Sequence, residues 1–196
     1  MKRNQIKRWL SCAALAAAGL ASGAAQAEIV EITVDLSGIS SNGAFGDASN
    51  TVLSILAASN ARVTGIGWET SLFAEFPSFL SEISLDISSA FYASNGLTLT
   101  PGFADGFAGA GSYSSNGLVD LVALGADFAI AGDGMLRLEF FDAVDDVVGG
   151  ADGFWRQGTL TIQYDVPEPA SLALAGLALA GAAGATRRRK AAAPAA

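Results

Sequence analysis

Carboxylates are the only reactive side chains that this sequence offers in quantity. It contains no histidine, and its single cysteine, Cys12, lies near the N-terminus. The lack of histidine excludes Ser-His-Asp triads, imidazole bases and histidine-ligated zinc. The chain also has no Gly-x-Ser-x-Gly sequence, and its glycine-rich segment 106–111 lacks the spacing and the basic residue of a phosphate-binding loop. We therefore expect a protein without catalytic activity.

Four aspartates are clustered between two predicted strands near the C-terminus. They are Asp142, Asp145, Asp146 and Asp152. Carboxylate and backbone oxygens are the ligands that a hard cation such as Ca²⁺ prefers, although the spacing here matches no EF-hand. The preferred interpretation is a solvated acidic loop in a protein without a cofactor, and a Ca²⁺ site formed by these aspartates is the alternative. A glycosidase with two facing carboxylates is a third hypothesis, but the sequence does not show which carboxylates would form the pair.

Aromatic side chains on an exposed face would allow the protein to stack on sugars. The candidates for such a platform are Trp68, Tyr92, Tyr113, Trp155 and Tyr164. In a β-sandwich, however, aromatic residues more often belong to the core, and we expect this of Trp68 and Trp155. Tyr113 lies in a segment rich in Gly and Ser and is the better candidate for an exposed position.

The elements that must position these residues are predicted to be short β-strands. Apolar and polar residues alternate with a period of two, as expected for strands with one buried face, in the segments 30–36, 83–87, 136–140 and 160–164. Further strands are predicted at 51–57, 62–72 and 97–100, and two more within 118–130, separated at Gly125. No segment between 28 and 165 shows a sustained apolar stripe with the 3.6-residue period of a helix.

Turn signals separate these predicted strands. Asn42-Gly43, Asn95-Gly96 and Asn116-Gly117 are dipeptides that favour turns with positive φ. The segments 38–50 and 101–116 are predicted to be long loops. Many short strands joined by glycine-rich loops predict an all-β fold, an antiparallel β-sandwich of the jelly-roll type.

The N-terminal segment has the organisation of a signal peptide. Lys2, Arg3, Lys7 and Arg8 precede the apolar segment 9–20, and Ala25-Gln26-Ala27 forms a cleavage site with small residues at Ala25 and Ala27. We predict that residues 1–27 are removed. The alternative is a retained membrane anchor, but the apolar segment is shorter than the roughly 20 residues that span a bilayer. Removal would also eliminate Cys12, so the exported protein would have neither disulfides nor thiol chemistry.

The C-terminal segment combines three features in order: a proline-containing motif, the apolar segment 170–186 and a basic cluster. The motif consists of Val166, Pro167, Glu168 and Pro169, and the cluster consists of Arg187, Arg188, Arg189 and Lys190. As a helix, the apolar segment would be about 26 Å long, near the lower limit for spanning a bilayer. We predict one transmembrane helix, with the basic cluster in the cytoplasm and residues 28–165 outside as an ectodomain.

This order of Pro-Glu-Pro, short apolar helix and arginine cluster resembles the PEP-CTERM sorting signal of Gram-negative bacteria. The resemblance covers residues 166–190, and residues 191–196 are predicted to be a disordered tail. It implies that an exosortase, an integral membrane enzyme, recognises Pro167, Glu168 and Pro169 and processes the chain. Such tails commonly accompany genes for exopolysaccharide production. The resemblance therefore implies an inner-membrane intermediate that is passed on to the cell surface or the extracellular matrix.

The charge of the predicted ectodomain restricts its partners. Residues 28–166 carry 18 acidic side chains against three arginines, which leaves 15 negative charges. Such a surface repels nucleic acids and anionic lipid headgroups. We expect as partners the exosortase, the membrane before processing, and exopolysaccharide, but no nucleic acid. The predicted function is that of a non-catalytic surface or matrix protein, and a carbohydrate-binding module, with or without the help of Ca²⁺, is the alternative.

Overall fold

The structure is a computed structural model that describes residues 27–90, 95–147 and 149–167, together with the isolated positions 176, 178 and 181, which have helical backbone. Residues Glu28–Pro167 form one compact unit. The predicted signal peptide, apart from its last residue, lies outside the described residues. The same holds for the basic cluster, the disordered tail and all but those three positions of the predicted transmembrane helix.

The regular secondary structure of the compact unit is almost entirely β-strand. They are β1 (Glu28–Asp35), β2 (Ile39–Ser41), β3 (Thr51–Leu56), β4 (Arg62–Ala74), β5 (Ile83–Ser89), β6 (Gly96–Leu99), β7 (Gly109–Ser114), β8 (Val119–Asp120), β9 (Phe128–Ala129), β10 (Met135–Asp142) and β11 (Gly153–Val166). One short helix, α1 (Leu121–Leu124), lies between β8 and β9. The last strand continues to Val166, one residue beyond the predicted end of the ectodomain.

The strands form two antiparallel sheets. The larger sheet has the order β1-β11-β4-β7, with β2 beside β11 and with β8 and β9 beside β4. The smaller sheet has the order β3-β10-β5-β6. Strand β11 lies inside the larger sheet, where it pairs with β1 and β2 on one side and with β4 on the other. Consecutive strands are rarely neighbours, so the chain crosses repeatedly from one sheet to the other.

The core lies between the two sheets. Alternate residues of the long strands point into it, as in the series Leu160, Ile162 and Tyr164 of β11. Two large aromatic rings connect the sheets at the centre: Phe140 of β10 packs edge-to-face on Trp155 of β11, with 5.4 Å between the ring centroids. Both side chains are fully buried. This cluster of apolar side chains from both sheets is the core of a β-sandwich, which confirms the predicted fold class.

Most predicted strands are confirmed, but the segment 118–130 is not simply two strands separated at Gly125. It contains the two-residue strands β8 and β9 with helix α1 between them. The side chain of Asp120 caps the start of this helix by accepting a hydrogen bond from the amide of Ala123 (3.0 Å), and Gly125, with φ of 66°, caps its end. A helix of one turn is too short to produce a 3.6-residue period, so the sequence pattern does not reveal it.

Both predicted long loops contain a strand. Segment 38–50 includes β2, and segment 101–116 includes β7. Strand β7 has the sequence Gly-Ala-Gly-Ser-Tyr-Ser, which offers no apolar alternation, and it forms because its backbone pairs with β4. The predicted turn at Asn116-Gly117 is confirmed, because these residues have φ of 55° and 113°.

We expect Phe140→Ala to reduce the free energy of unfolding by about 3–5 kcal/mol, because it removes the ring that fills the space beside Trp155. Phe103→Ala is the matched control, since Phe103 is 82% exposed, and it should change stability by no more than about 0.5 kcal/mol. Urea unfolding of the full chain in neutral detergent, followed by tryptophan fluorescence, measures both values. Equal effects of the two substitutions would contradict this description of the core.

Candidate functional site

The two ends of the sandwich are formed by different strand ends and loops. At one end β1 begins and β11 ends, because Glu28 lies opposite Val166. At the other end Gly153, the first residue of β11, lies opposite Ala74, which in turn lies opposite Gly109 at the start of β7. We call this second end the distal end, because the chain leaves the sandwich at the first. The loops of the distal end are 42–50, 75–82, 100–108 and 143–152.

Backbone hydrogen bonds connect the distal loops to one another. The amides of Leu80 and Ser81, between β4 and β5, donate to carbonyl oxygens in the loop between β6 and β7, each at 3.0 Å. The amide of Glu75 donates to the carbonyl oxygen of Asp152, in the loop between β10 and β11, at 2.8 Å. The loop between β4 and β5 therefore joins its two neighbours, and the three loops form one continuous surface.

Four phenylalanines are exposed on this surface. Phe76 is 80% exposed, Phe79 39%, Phe103 82% and Phe107 76%. We call these four residues the phenylalanine patch. Exposed apolar side chains that occur together, rather than singly, are typical of interaction sites. The sequence-based predictions do not include these four residues. Their sequence context nevertheless carries a signal, because three of them are adjacent to proline or glycine in stretches without strand alternation, where no core position is expected.

Beside these loops lie two fully buried aspartates, Asp142 at the end of β10 and Asp152 just before β11. One carboxylate oxygen of Asp152 accepts the amides of Asp146 and Val147, at 2.8 and 2.7 Å. Its other oxygen, Oδ2, is buried and has no hydrogen-bond partner among the described residues. A buried carboxylate oxygen without a donor loses its hydration without compensation, which is costly.

The surroundings of Asp142 favour its neutral form. The pKa of Asp142 is raised to about 7, chiefly by burial and also by the nearby charges of Asp152 and Glu82, while the hydrogen bonds from Val144 and Ser78 act in the opposite direction. The Ser78 hydroxyl lies 3.4 Å from Asp142 Oδ2 and 3.0 Å from Glu82 Oε2. Ionisation of Asp142 is therefore disfavoured, because it would add a negative charge in a buried position close to Asp152 and Glu82.

The other two predicted cation ligands have different surroundings. Asp146 supplies its backbone amide to Asp152. The exposed Asp145 borders an open polar depression that also includes Asn42 and Ser49. Among the described residues, no group of three or more Asp, Glu or Cys side chains is arranged to hold a metal ion. The structure thus brings Asp142 and Asp152 together, and the four-aspartate calcium site stays a prediction.

The predicted sugar-stacking residues lie mainly in or against the core. Trp155 is fully buried and its indole donates to Ser41 Oγ at 3.2 Å, and Tyr164 is 6% exposed. Trp68 is partly buried and packs against the core cluster. Tyr92 lies outside the described residues. Trp155 and Tyr164 therefore offer no open ring face for a sugar.

Tyr113 was expected to be exposed on a loop, and this expectation is wrong. It belongs to β7, and its ring is partly buried against the core, because the Gly- and Ser-rich segment is a strand with an inward face. Its hydroxyl donates to Asp105 Oδ2 at 2.7 Å. Burial and this carboxylate raise the pKa of Tyr113 to about 12. The hydroxyl thus holds the loop between β6 and β7 to the sheet.

A polar groove of about 440 Å³ crosses β7, β4 and β11. The residues that line it include Glu69, Ser71, Ser112, Ser114, Gln157 and Thr159. Hydroxyl, amide and carboxylate groups of this kind form hydrogen bonds with the hydroxyls of sugars. The groove therefore offers hydrogen-bonding groups, whereas the phenylalanine patch offers flat apolar surfaces.

The buried carboxylate of Glu139, on β10, has a structural explanation. It forms an ion pair with Arg137, and its Oε1 accepts hydrogen bonds from Asn50 (2.8 Å) and from the amide of Gly46 (2.6 Å). These contacts attach the loop between β2 and β3 to the smaller sheet. Because Glu139 is compensated by a cation and two donors, it provides no comparable reason to expect a ligand.

At the opposite end of the sandwich, Val166 and Pro167 are the last residues before the C-terminal tail. The model of the PEP-CTERM protein-sorting motif matches residues 165–190. The chain carries a PEP-CTERM sorting motif. The match confirms the resemblance and identifies an exported protein that an exosortase sorts across the membrane. The motif begins inside β11, since Asp165 lies opposite Arg62. Within the described residues, no helix is long and apolar enough to cross a membrane.

Similarity to known proteins says less about the folded domain than about the PEP-CTERM tail. No curated protein sequence matches the chain. Among solved structures, the chain is similar to one from the cyanophage Pam1 capsid, with 14% identity over 72% of this chain and 87% of that one and a TM-score of 0.41. It is also similar to a chain of infectious bursal disease virus, Gt strain, with 11% identity, coverage of 70% and 32%, and a TM-score of 0.39.

We expect the stability of the sandwich to decrease as the pH rises from 5 to 8 in the presence of EDTA. The pKa of Asp142 is raised to about 7, so the stabilising proton is fully bound below the unfolded pKa and is lost as the pH rises through 7. The slope should be at most about 1.4 kcal/mol per pH unit. Urea unfolding of the full chain in detergent measures it.

Asp142→Asn is the matched control for this pH dependence, because the amide has the shape of the carboxyl group but does not titrate. Carboxylates with a lowered pKa, such as Asp127 beside Arg62, change stability only below about pH 4. The variant should therefore show little pH dependence between pH 5 and 8. A stability that rises over this range in the unsubstituted protein would contradict the assignment.

Proposed function

We propose that the protein is a non-catalytic component of the cell surface or extracellular matrix, delivered there by exosortase processing. The observation that supports this most directly is the position of the PEP-CTERM motif, which starts at Asp165, within the last two residues of β11. The whole folded unit therefore precedes the processed tail. Such a domain is delivered intact to the outer face of the membrane, and its distal loops lie at the end of the sandwich opposite Val166.

The chemistry of the domain supports binding rather than catalysis. The chain has no histidine, and the two closely placed carboxylates of the distal end, Asp142 and Asp152, are fully buried. A pair of catalytic carboxylates must reach both faces of a substrate bond, which requires an open cleft. The exposed features of the domain are instead the phenylalanine patch and the polar groove, which are suited to contacts.

The second candidate function is a carbohydrate-binding module that engages the exopolysaccharide secreted by the host cell. It is favoured by the phenylalanine patch, because sugar rings present C–H faces that pack on aromatic rings. The net negative charge of the domain argues for a neutral or weakly charged polysaccharide. An anionic membrane is disfavoured as the partner of the patch, both by this charge and because the patch is at the end remote from the C-terminal attachment.

To test the proposed sorting, we would compare the intact mass and the location of the protein in host cells with and without exosortase activity. We expect that residues 1–27 are absent from the product in both strains, that the apolar tail is absent only when the exosortase is active, and that the product without the tail is found outside the inner membrane. A protein that keeps its tail in the inner membrane in both strains would contradict the proposal.

To test the second function, we would measure retention of the full chain on the host's exopolysaccharide. The double variant Phe76→Ser with Phe103→Ser should reduce retention at least tenfold, because the contacts of aromatic rings with sugar rings contribute about 1 kcal/mol or more each. Leu56→Ser with Leu124→Ser is the matched control, since these residues are 71% and 68% exposed but lie away from the distal end. Equal retention of both double variants would exclude the patch as the binding surface.

A further inference from the structure

The buried pair at the distal end lacks the compensation that buried charges normally have. Among the described residues, the ion pairs are Arg62 with Asp127 and Arg137 with Glu139, and neither includes Asp142 or Asp152. The remaining arginine of the folded unit, Arg156, lies over the ring of Phe73 at 4.0 Å from the ring centroid. No cation of the described protein therefore neutralises the pair.

Two of the loops beside the pair add negative charge or neutral polar groups. The loop between β4 and β5 contributes Glu82, whose charge acts on Asp142, and Ser78. The loop between β10 and β11 contributes Asp145 and Asp146, and its amides reach only one oxygen of Asp152. Placing two carboxylates in such a space is costly unless a proton or a cation neutralises them.

Independently of this charge, one atom indicates where a ligand would bind. Asp152 is fully buried, its Oδ1 is fixed by two amides, and Oδ2 has no hydrogen-bond partner among the described residues. The amides orient the side chain, so the free oxygen has a defined direction rather than a mobile one. Fixed carboxylate oxygens of this kind are typical of sites for hard cations.

We propose that Asp142 and Asp152 are the carboxylate ligands of a divalent cation such as Ca²⁺, with the Ser78 hydroxyl as a further oxygen near the site. This site differs from the four-aspartate interpretation, because Asp145 and Asp146 provide no carboxylate to it. Two carboxylates form a weak site, and we expect a dissociation constant in the range of 10⁻⁴–10⁻³ M that is typical of extracellular modules.

The cation would connect two loops of the distal end. Asp142 and Asp152 flank the loop between β10 and β11, whereas Ser78 lies in the loop that carries Phe76 and Phe79. The amide of Phe79 also donates to Glu82 Oε2 at 2.8 Å. Occupancy would thus hold part of the phenylalanine patch in place. The site itself does not depend on polysaccharide binding, and it can be tested without any polysaccharide.

The test uses the full chain in neutral detergent at pH 8, with CaCl₂ or EDTA as the only variable. We expect 10 mM Ca²⁺ to raise the melting temperature by about 3–6 °C. Asp142→Asn and Asp152→Asn should each abolish this shift. The double variant Asp145→Asn with Asp146→Asn is the matched control and should keep it, because its carboxylates are not ligands in this proposal.

A second readout separates loss of binding from loss of folding. Asp142→Asn removes an uncompensated charge, so this variant should melt at the same or a higher temperature than the unsubstituted protein in EDTA, while failing to respond to Ca²⁺. Direct titration with Ca²⁺ by calorimetry should show one site in the unsubstituted protein and none in Asp142→Asn. The proposal is overturned if Ca²⁺ causes no shift up to 10 mM, or if the Asn variants at 142 and 152 still respond while the control does not.

Discussion

The fold depends on the position of β11 inside the larger sheet. This strand pairs with β4 along almost its whole length, and with β1 and β2 on its other side. It also carries Trp155 to the contact with Phe140 that joins the two sheets. Because so much of the backbone pairing and of the core involves one strand, the order of the remaining elements follows from it. The distal loops are held in place by the strands that β11 brings together, and the C-terminal tail starts where it ends.

The distal end combines two features that are unusual at the surface of a folded domain. The phenylalanine patch exposes apolar rings to solvent, and just beneath the same loops two carboxylates are buried without a cation of the protein. Glu139 is compensated by its contacts with Arg137, Asn50 and Gly46. The combination of exposed rings and uncompensated buried carboxylates in the same loops is the physical reason to regard the distal end as the functional part of the domain.

The sequence predicted the fold class and most strands because alternating apolar residues, as in 160–164, report directly on a sheet with one buried face. The sequence did not predict the elements that form without a characteristic pattern of side chains. Strand β7 has only small residues and Tyr113, and helix α1 is defined by its caps at Asp120 and Gly125 rather than by any periodicity. The four aspartates lie close together in the sequence. Only the fold distinguishes Asp142 and Asp152, which are buried, from Asp145 and Asp146. The phenylalanine patch was missed because its members come from two loops that are distant in the chain.

The location of β11 also has a consequence for the time at which the protein folds. Strand β11 is the last part of the folded unit to be synthesised and the last to pass through the export channel, and the PEP-CTERM motif overlaps its last two residues. Until it emerges, β4 lacks its main partner, β1 has no neighbour in the sheet, and Phe140 has no Trp155 to pack against. The sandwich therefore cannot be completed until β11, and with it the start of the sorting motif, has passed through the export channel.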